Sequence, residues 1–137
     1  MDIITFGSPC QNFSTAGDLT GLTGEKSSLF HQAIRFIKEM RYVTNGKYPT
    51  FVIWENVRGA FVSGARMDFR AILESFSSTR VPMPKLKWAN AGMVRGREFE
   101  LCWRVLDAQY FGEPKLLQRR KRIFIVFDFG GFRSHKI

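Results

Sequence analysis

The stretch Asp2–Ser14 has the sequence DIITFGSPCQNFS. The run Ile3–Phe6 is followed by a glycine and a serine, and then by the triplet Pro9-Cys10-Gln11. The run predicts a short buried strand over residues 2–6, and the triplet predicts a loop at its carboxyl end. In open α/β sheets ligands bind at that edge, so this pattern places the thiol of Cys10 where chemistry is expected.

The composition is that of a basic chain with enough apolar residues to form a core. Of its 137 residues, 45% are hydrophobic and 15% aromatic, which excludes a disordered chain. The net charge of +9 and an isoelectric point of about 10.1 favour polyanionic partners, nucleic acid before anionic membrane. Charge alone leaves an ordinary basic protein equally open.

The cysteines and the N-terminus indicate the compartment. Cys10 and Cys102 form no CxxC pair, which does not fit a zinc site. The acidic Asp2 followed by a short apolar run does not fit a signal peptide, and no stretch approaches the roughly 18 apolar residues that a membrane span needs. We therefore predict a cytoplasmic protein with reduced thiols and no metal.

Alternating strand and helix patterns predict an α/β domain. A helix capped by Ser27 is predicted from one apolar stripe, and a second helix capped by Asp68 from another. Strands are predicted at 51–54, 99–105 and 123–129, and residues 77–98 are predicted to be irregular. The first stripe consists of Leu29, Phe30, Ala33, Ile34, Ile37 and Met40, and the second of Phe69, Ile72, Leu73 and Phe76. This order predicts parallel first strands and an antiparallel last pair.

Three groups of side chains are candidates for chemistry. Cys10 lies among loop-forming residues, which disfavours the alternative of a small buried hydrophobe. Glu55 follows a strand at the same predicted edge and can donate a proton, although taken by itself it is more simply a strand-end charge turned to solvent. The basic cluster 118–122 is either a solvated face or a set of phosphate contacts, and its last residue, Arg122, is anchored on a strand. Cys102, inside a strand pattern, is interpreted as core or sheet surface.

The order of three motifs resembles the DNA cytosine-5 methyltransferase family. The motifs are Pro9-Cys10-Gln11, Trp54–Val57 and Gln118–Arg122. Segments 21–30 and 105–112 also resemble that family, so the resemblance covers nearly the whole chain. The Asp/Asn-Pro-Pro-Tyr motif of methylases that act on exocyclic amines is absent from the sequence, and the triplet Pro9-Cys10-Gln11 indicates methylation of carbon.

The resemblance implies a fold and a reaction. The fold is a partial Rossmann-like methyltransferase sheet with flanking helices, and the activity is that of a DNA (cytosine-5-)-methyltransferase such as those of restriction–modification systems. Cys10 would attack carbon 6 of a cytosine flipped out of duplex DNA. Glu55 would contact and protonate N3, and Arg122 would bond the O2 carbonyl. S-adenosylmethionine would be the methyl donor.

The resemblance also assigns supporting roles. Asn56 matches the residue that braces the catalytic loop, and Pro9 and Leu29 match positions near the cofactor. Three further positions match residues near the DNA backbone or the catalytic loop: Ser14, Gln118 and Arg120.

The chain departs from the family pattern in two respects. A Phe-x-Gly-x-Gly cofactor loop and a target-recognition domain are expected but not found, so residues 1–137 are interpreted as the catalytic portion of a larger domain. We expect such a portion to be incomplete alone, to expose an apolar edge, and either to self-associate or to need a complementary polypeptide; a non-catalytic DNA-binding remnant is the alternative. A thiol hydrolase or redox enzyme that uses Cys10 is disfavoured, because the sequence offers no paired histidine or resolving cysteine for it. The second departure, the three additional residues Lys115–Leu117, puts the position of Arg122 in question.

Overall fold

The strands and helices form one mixed sheet with its helices on one side. A computed structural model describes residues 2–7, 28–112 and 118–130. Within these ranges the strands are β1 (Ile3–Gly7), β2 (Phe51–Val57), β3 (Ala91–Arg95), β4 (Glu100–Asp107) and β5 (Lys121–Asp128). The helices are α1 (Ser28–Val43) and α2 (Met67–Ser77), and short 3-10 turns span Arg58–Phe61, Ser63–Arg66 and Ala108–Tyr110.

The sheet changes from parallel to antiparallel at β2. Its strand order is β1-β2-β5-β4-β3, with β1 and β2 parallel and each of the other pairs antiparallel. The helix α1 makes the crossover between the two parallel strands, which a parallel pair requires. The predicted α/β class, the parallel beginning and the antiparallel last pair are confirmed.

Aromatic packing fixes both helices to the same face of the sheet. The ring of Phe30 on α1 lies 6.1 Å from that of Trp54 and 6.0 Å from that of Phe76 on α2. Farther along the sheet, Phe69 lies 5.6 Å from Trp103. Because alternate residues of a strand point to opposite faces, this packing leaves Glu55 and its alternate neighbours on the other face, which no described helix covers.

The structure corrects three details of the sequence interpretation. Leu29 is 58% exposed rather than part of the buried stripe. Asp68 lies inside the first turn of α2, and the residue before that helix is Arg66. The segment predicted to be irregular contains β3, where a Cβ on Gly92 would stand 2.1 Å from Cζ2 of Trp103. The strand β3 is defined by its pairing with β4 and by this close contact. Neither of them appears in the sequence as an alternating apolar pattern, so the strand was not predicted.

Exposed apolar side chains lie on β1 and on α1 among the described residues. The strand β1 lies at one edge of the sheet, and Ile3 is 51% exposed. On α1 the residues Leu29, Phe36 and Val43 repeat every seven positions and all are exposed, which places them on one stripe. An apolar edge of this kind was expected from the sequence. No helix among the described residues is long and apolar enough to cross a bilayer.

Candidate active site

Antiparallel pairing of β2 with β5 brings Glu55 and Arg122 together. Val57 is paired with Arg122, and Glu55 is paired with Phe124. Glu55 and Arg122 therefore point to the same face of the sheet from adjacent strands, as diagonal neighbours. The Nε atom of Arg122 lies 3.1 Å from Oε1 of Glu55, and the two side chains are 27% and 38% exposed. Both groups therefore remain open to a ligand while each orients the other.

A pocket of about 530 Å³ opens above this ion pair. Its lining residues are Glu55, Leu106, Ala108, Phe111, Arg120, Arg122 and Phe124. Apolar walls next to one carboxylate and one guanidinium suit a flat heterocycle. The guanidinium can donate to a carbonyl oxygen, and the carboxyl group can exchange a proton with a ring nitrogen.

A second hollow of about 580 Å³ adjoins the first and extends to β1. The two hollows share Glu55, Leu106 and Phe124, so the carboxylate lies between them. Gly7 is paired with Glu55 at the end of β1. A Cβ at that position would be 3.2 Å from Oε2 of Glu55, so the missing side chain lets β1 end directly beside the carboxylate.

Asn56 points to the opposite face from Glu55 and is 2% exposed. Its Oδ1 accepts a hydrogen bond of 2.7 Å from the backbone N–H of Val57. A buried amide bonded in this way holds the end of β2.

The basic cluster enters the pocket through its second half. Gln118, Arg119 and Arg120 are exposed, and Arg120 lines the pocket together with Arg122. The backbone N–H of Arg120 donates to Oδ1 of Asp107 at 3.0 Å. The cluster thus presents positive charge at the rim of the pocket while its backbone is held by β4.

Three predicted site residues, Pro9, Cys10 and Ser14, lie outside the described residues, as does the segment Lys115–Leu117. Leu29 is described and lies in the first turn of α1. Its neighbour Phe30 packs 6.3 Å from the ring of Phe6, so Leu29 presents an exposed apolar side chain near the carboxyl end of β1.

Cys102 lies on β4, away from the pocket, as a free and partly buried thiol. Burial raises the pKa of this thiol; the neighbouring Glu100 carboxylate raises it further, and Arg104 opposes the change. A thiol with a raised pKa is a poor nucleophile near neutral pH, in agreement with its interpretation as a structural residue. The described residues contain no cluster of three or more His, Cys, Asp or Glu side chains able to hold a metal ion.

Sequence reasoning missed the apolar walls of the pocket and the residue that joins them. Leu106, Phe111 and Phe124 were assigned no role, because apolar residues in and beside strands are expected in any core. Asp107 was also missed, although an acidic residue directly before a turn is a typical cap. Their role depends on the pairing of β4 with β5 and on the face to which each residue points.

The fold is that of an α/β domain with a mixed five-stranded sheet, and sequence comparison identifies the family. Residues 1–133 match the family described as C-5 cytosine-specific DNA methylase. The chain belongs to this family.

Curated relatives extend the comparison. The chain is 30% identical to the type II methyltransferase M.BsuFI of Bacillus subtilis over 91% of its length, and 28% identical to M.Sau3AI of Staphylococcus aureus over 90%. It is also 30% identical, over 91% of its length, to a protein of Escherichia phage P1 named DNA N-6-adenine-methyltransferase. These matches cover 24%, 25% and 19% of the respective relatives. The chain therefore spans a quarter or less of each.

Proposed function

We propose that this chain is the catalytic portion of a DNA (cytosine-5-)-methyltransferase, which transfers a methyl group to carbon 5 of a flipped cytosine. The observation that carries the proposal is the ion pair of Glu55 and Arg122 inside a pocket with apolar walls. Cytosine carries its ring nitrogen N3 next to its O2 carbonyl. A neighbouring carboxyl and guanidinium group match these two atoms.

The thiolate of Cys10 is the proposed nucleophile. Cys10 follows Gly7 by three residues, and three residues of extended chain span at most about 11 Å, which is within reach of the pocket beside Glu55. Addition of the thiolate to carbon 6 moves a ring electron pair to carbon 5, while Glu55, once it has taken up a proton from solvent and left its ion pair, protonates N3 and Arg122 bonds O2. After methylation, a water molecule or hydroxide acting as base removes the proton from carbon 5, the thiolate leaves carbon 6 as the ring double bond re-forms, and N3 returns its proton to Glu55.

Duplex DNA is the proposed substrate. Arg120 lines the pocket and its sequence neighbours Arg119 and Lys121 are exposed, so this basic segment can contact phosphates while the target base leaves the helix. Gln118, Arg120 and Ser14 are the proposed DNA-contacting residues. Asn56 is proposed as the brace of the site, because its buried amide bonds the end of β2.

S-adenosylmethionine, the proposed cofactor, supplies the methyl group that carbon 5 accepts. Leu29 fits this assignment, since it is exposed and apolar near the carboxyl end of β1. Pro9 and Leu29 would contact the cofactor. We propose no metal for this reaction.

We further propose that this portion needs a complementary polypeptide that supplies the cofactor loop and the recognition domain. The exposed apolar stripe on α1 and the edge position of β1 support this view. A DNA substrate and the two cysteine thiols support a cytoplasmic location. A non-catalytic remnant that binds DNA through its basic surface remains the second candidate, favoured by the net charge of +9.

A binding experiment tests the pocket without requiring catalysis. We would compare duplexes in which cytosine or thymine lies opposite an abasic site, since an unpaired base flips at little cost. Thymine lacks the amino group of cytosine and carries a hydrogen on N3. We expect about tenfold tighter binding of the cytosine duplex, the equivalent of about 1.4 kcal/mol. Glu55→Ala, which removes the group that contacts N3, should abolish the preference, and Glu98→Ala, an exposed control outside the pocket, should retain it. Equal binding of both duplexes would contradict the proposal and favour the remnant.

Transfer of a labelled methyl group tests the reaction itself. With the chain alone we expect no label in DNA. Label in 5-methylcytosine that disappears in Cys10→Ala and persists in Cys102→Ala would support the reaction and overturn the need for a complementary polypeptide. Label in N6-methyladenine would overturn the assignment to carbon.

A further inference from the structure

Asp107, at the end of β4, is a buried carboxylate that accepts several hydrogen bonds. It is 7% exposed. Its Oδ1 accepts from the backbone N–H of Arg120 at 3.0 Å and from that of Gln109 at 3.3 Å. Its Oδ2 accepts from Nε2 of Gln109 at 2.9 Å. Every one of these donors belongs to the connection between β4 and β5.

These bonds join the two walls of the pocket. One wall consists of residues near the end of β4, namely Leu106, Ala108 and Phe111, and the other of Arg120 and Arg122 near the start of β5. Asp107 lies between Leu106 and Ala108 in the chain and accepts a hydrogen bond from the backbone of Arg120 in the second wall. Five of the seven lining residues therefore belong to the two walls that this carboxylate connects.

The pairing of the two strands continues through this connection. Leu106 is paired with Arg122, and Asp107 is paired with Lys121. One step further, the backbone N–H of Ala108 donates to the carbonyl oxygen of Arg120 at 3.0 Å. The register of Arg122 is consequently set by the pairing of residues 106–108 with residues 120–122, and not by the number of residues in the rest of the connection.

We propose that Asp107 is a positioning residue, which holds Arg122 against Glu55 whatever the length of the segment between residues 112 and 118. The residues Lys115–Leu117 then lengthen the connection without moving the guanidinium. The catalytic meaning of this position rests on the proposed function, while the geometric claim stands on the hydrogen bonds alone.

The test follows the Arg122 Nε–H signal by nuclear magnetic resonance in the complete chain. Its exchange with solvent reports whether the ion pair with Glu55 is formed. Asp107→Ala should accelerate this exchange about tenfold, and Asp107→Asn, which keeps one acceptor oxygen, should accelerate it less. Asp128→Ala is the matched control, because Asp128 accepts from Gly130 N–H at the opposite end of β5. Deletion of Lys115–Leu117 should change the exchange less than about twofold.

Two results would overturn the proposal. One is normal protection of the Arg122 Nε–H in a folded Asp107→Ala protein, or in Asp107→Asn if the alanine variant does not fold. The other is loss of protection on deletion of Lys115–Leu117 in a chain that still folds. If protection depends on Asp107 but the unaltered protein shows no preference for unpaired cytosine, the positioning role stands and the proposed function fails.

Discussion

The Nε atom of Arg122 lies 3.1 Å from Oε1 of Glu55, and the two residues come from strands that run in opposite directions. In the absence of a ligand each charge is the other's partner. A planar base with an acceptor oxygen and an adjacent ring nitrogen can bond both groups at once. The pair therefore keeps both side chains in place before a ligand arrives.

Loss of this ion pair should affect function more than stability. Because both side chains are partly exposed, we expect Glu55→Gln to lower the free energy of unfolding by less than about 1 kcal/mol. In Glu55→Ala, whose side chain has no group to bond N3, the preference for unpaired cytosine should nevertheless disappear. Urea unfolding followed by tryptophan fluorescence gives the first quantity, with Glu39→Gln in the exposed Arg35–Glu39 pair as the control. A much larger loss of stability would show that the pair supports the fold.

The basic rim should determine how DNA binding depends on salt. Arg119 and Lys121 are exposed and flank Arg120, which lines the pocket. Replacing both by alanine should make the negative slope of log affinity against log salt concentration shallower, by about 0.9 for each phosphate that is no longer neutralised. The same loss of charge at Arg35 and Lys38, exposed on α1, should leave the slope nearly unchanged. Equal effects of the two double variants would show that net charge alone governs binding.

Phe69 should be among the most costly core positions to truncate. It is fully buried, with ring centroids of Phe61, Trp88 and Trp103 at 4.7, 5.1 and 5.6 Å. Phe69→Ala should lower the free energy of unfolding by about 3–5 kcal/mol, because the rigid aromatic neighbours cannot fill the cavity. Met67→Ala, at a position that is 50% exposed on the same helix, should cost far less. Chemical denaturation of the two variants checks the difference.

Cys102 should react slowly with alkylating reagents. Its pKa is raised by burial and by Glu100, so little thiolate is present at neutral pH. In Cys10→Ala, where Cys102 is the remaining thiol, iodoacetamide should modify the native protein slowly and the urea-unfolded protein at an ordinary rate. Above the usual cysteine pKa of about 8.5, the alkylation rate of the native protein should rise with pH more steeply than that of the unfolded protein. Equal native and unfolded rates would contradict the assignment.

The periodic spacing of apolar residues in the sequence predicted which face of each helix is buried. The stripes of α1 and α2 followed from helical spacing, and Phe30, Ile34 and Ile37 are indeed buried. The strand β3 could not be predicted in this way. Its Gly92 is defined by contact with Trp103 on the neighbouring strand, which is a relation between distant residues.

The candidate site shows the same division. Glu55 and Arg122 were singled out from their neighbours in the sequence, and the structure brings them together. Asp107 was not singled out, because its hydrogen bonds to Gln109 and Arg120 exist only once β4 and β5 are paired. The proposed catalytic role of Cys10 stays a prediction.

The position of β5 between β2 and β4 also determines when the pocket can exist. The helices α1 and α2 and the strand β2 precede β5 in the chain by many residues, and they can acquire structure while synthesis continues. The carboxylate of Glu55 has no guanidinium beside it until β5 emerges and inserts into the sheet. Such non-local pairing is slow to form. A partly synthesised or partly unfolded chain would thus carry the helices but neither the ion pair nor the pocket, so a ligand of this pocket could bind only after the sheet is complete.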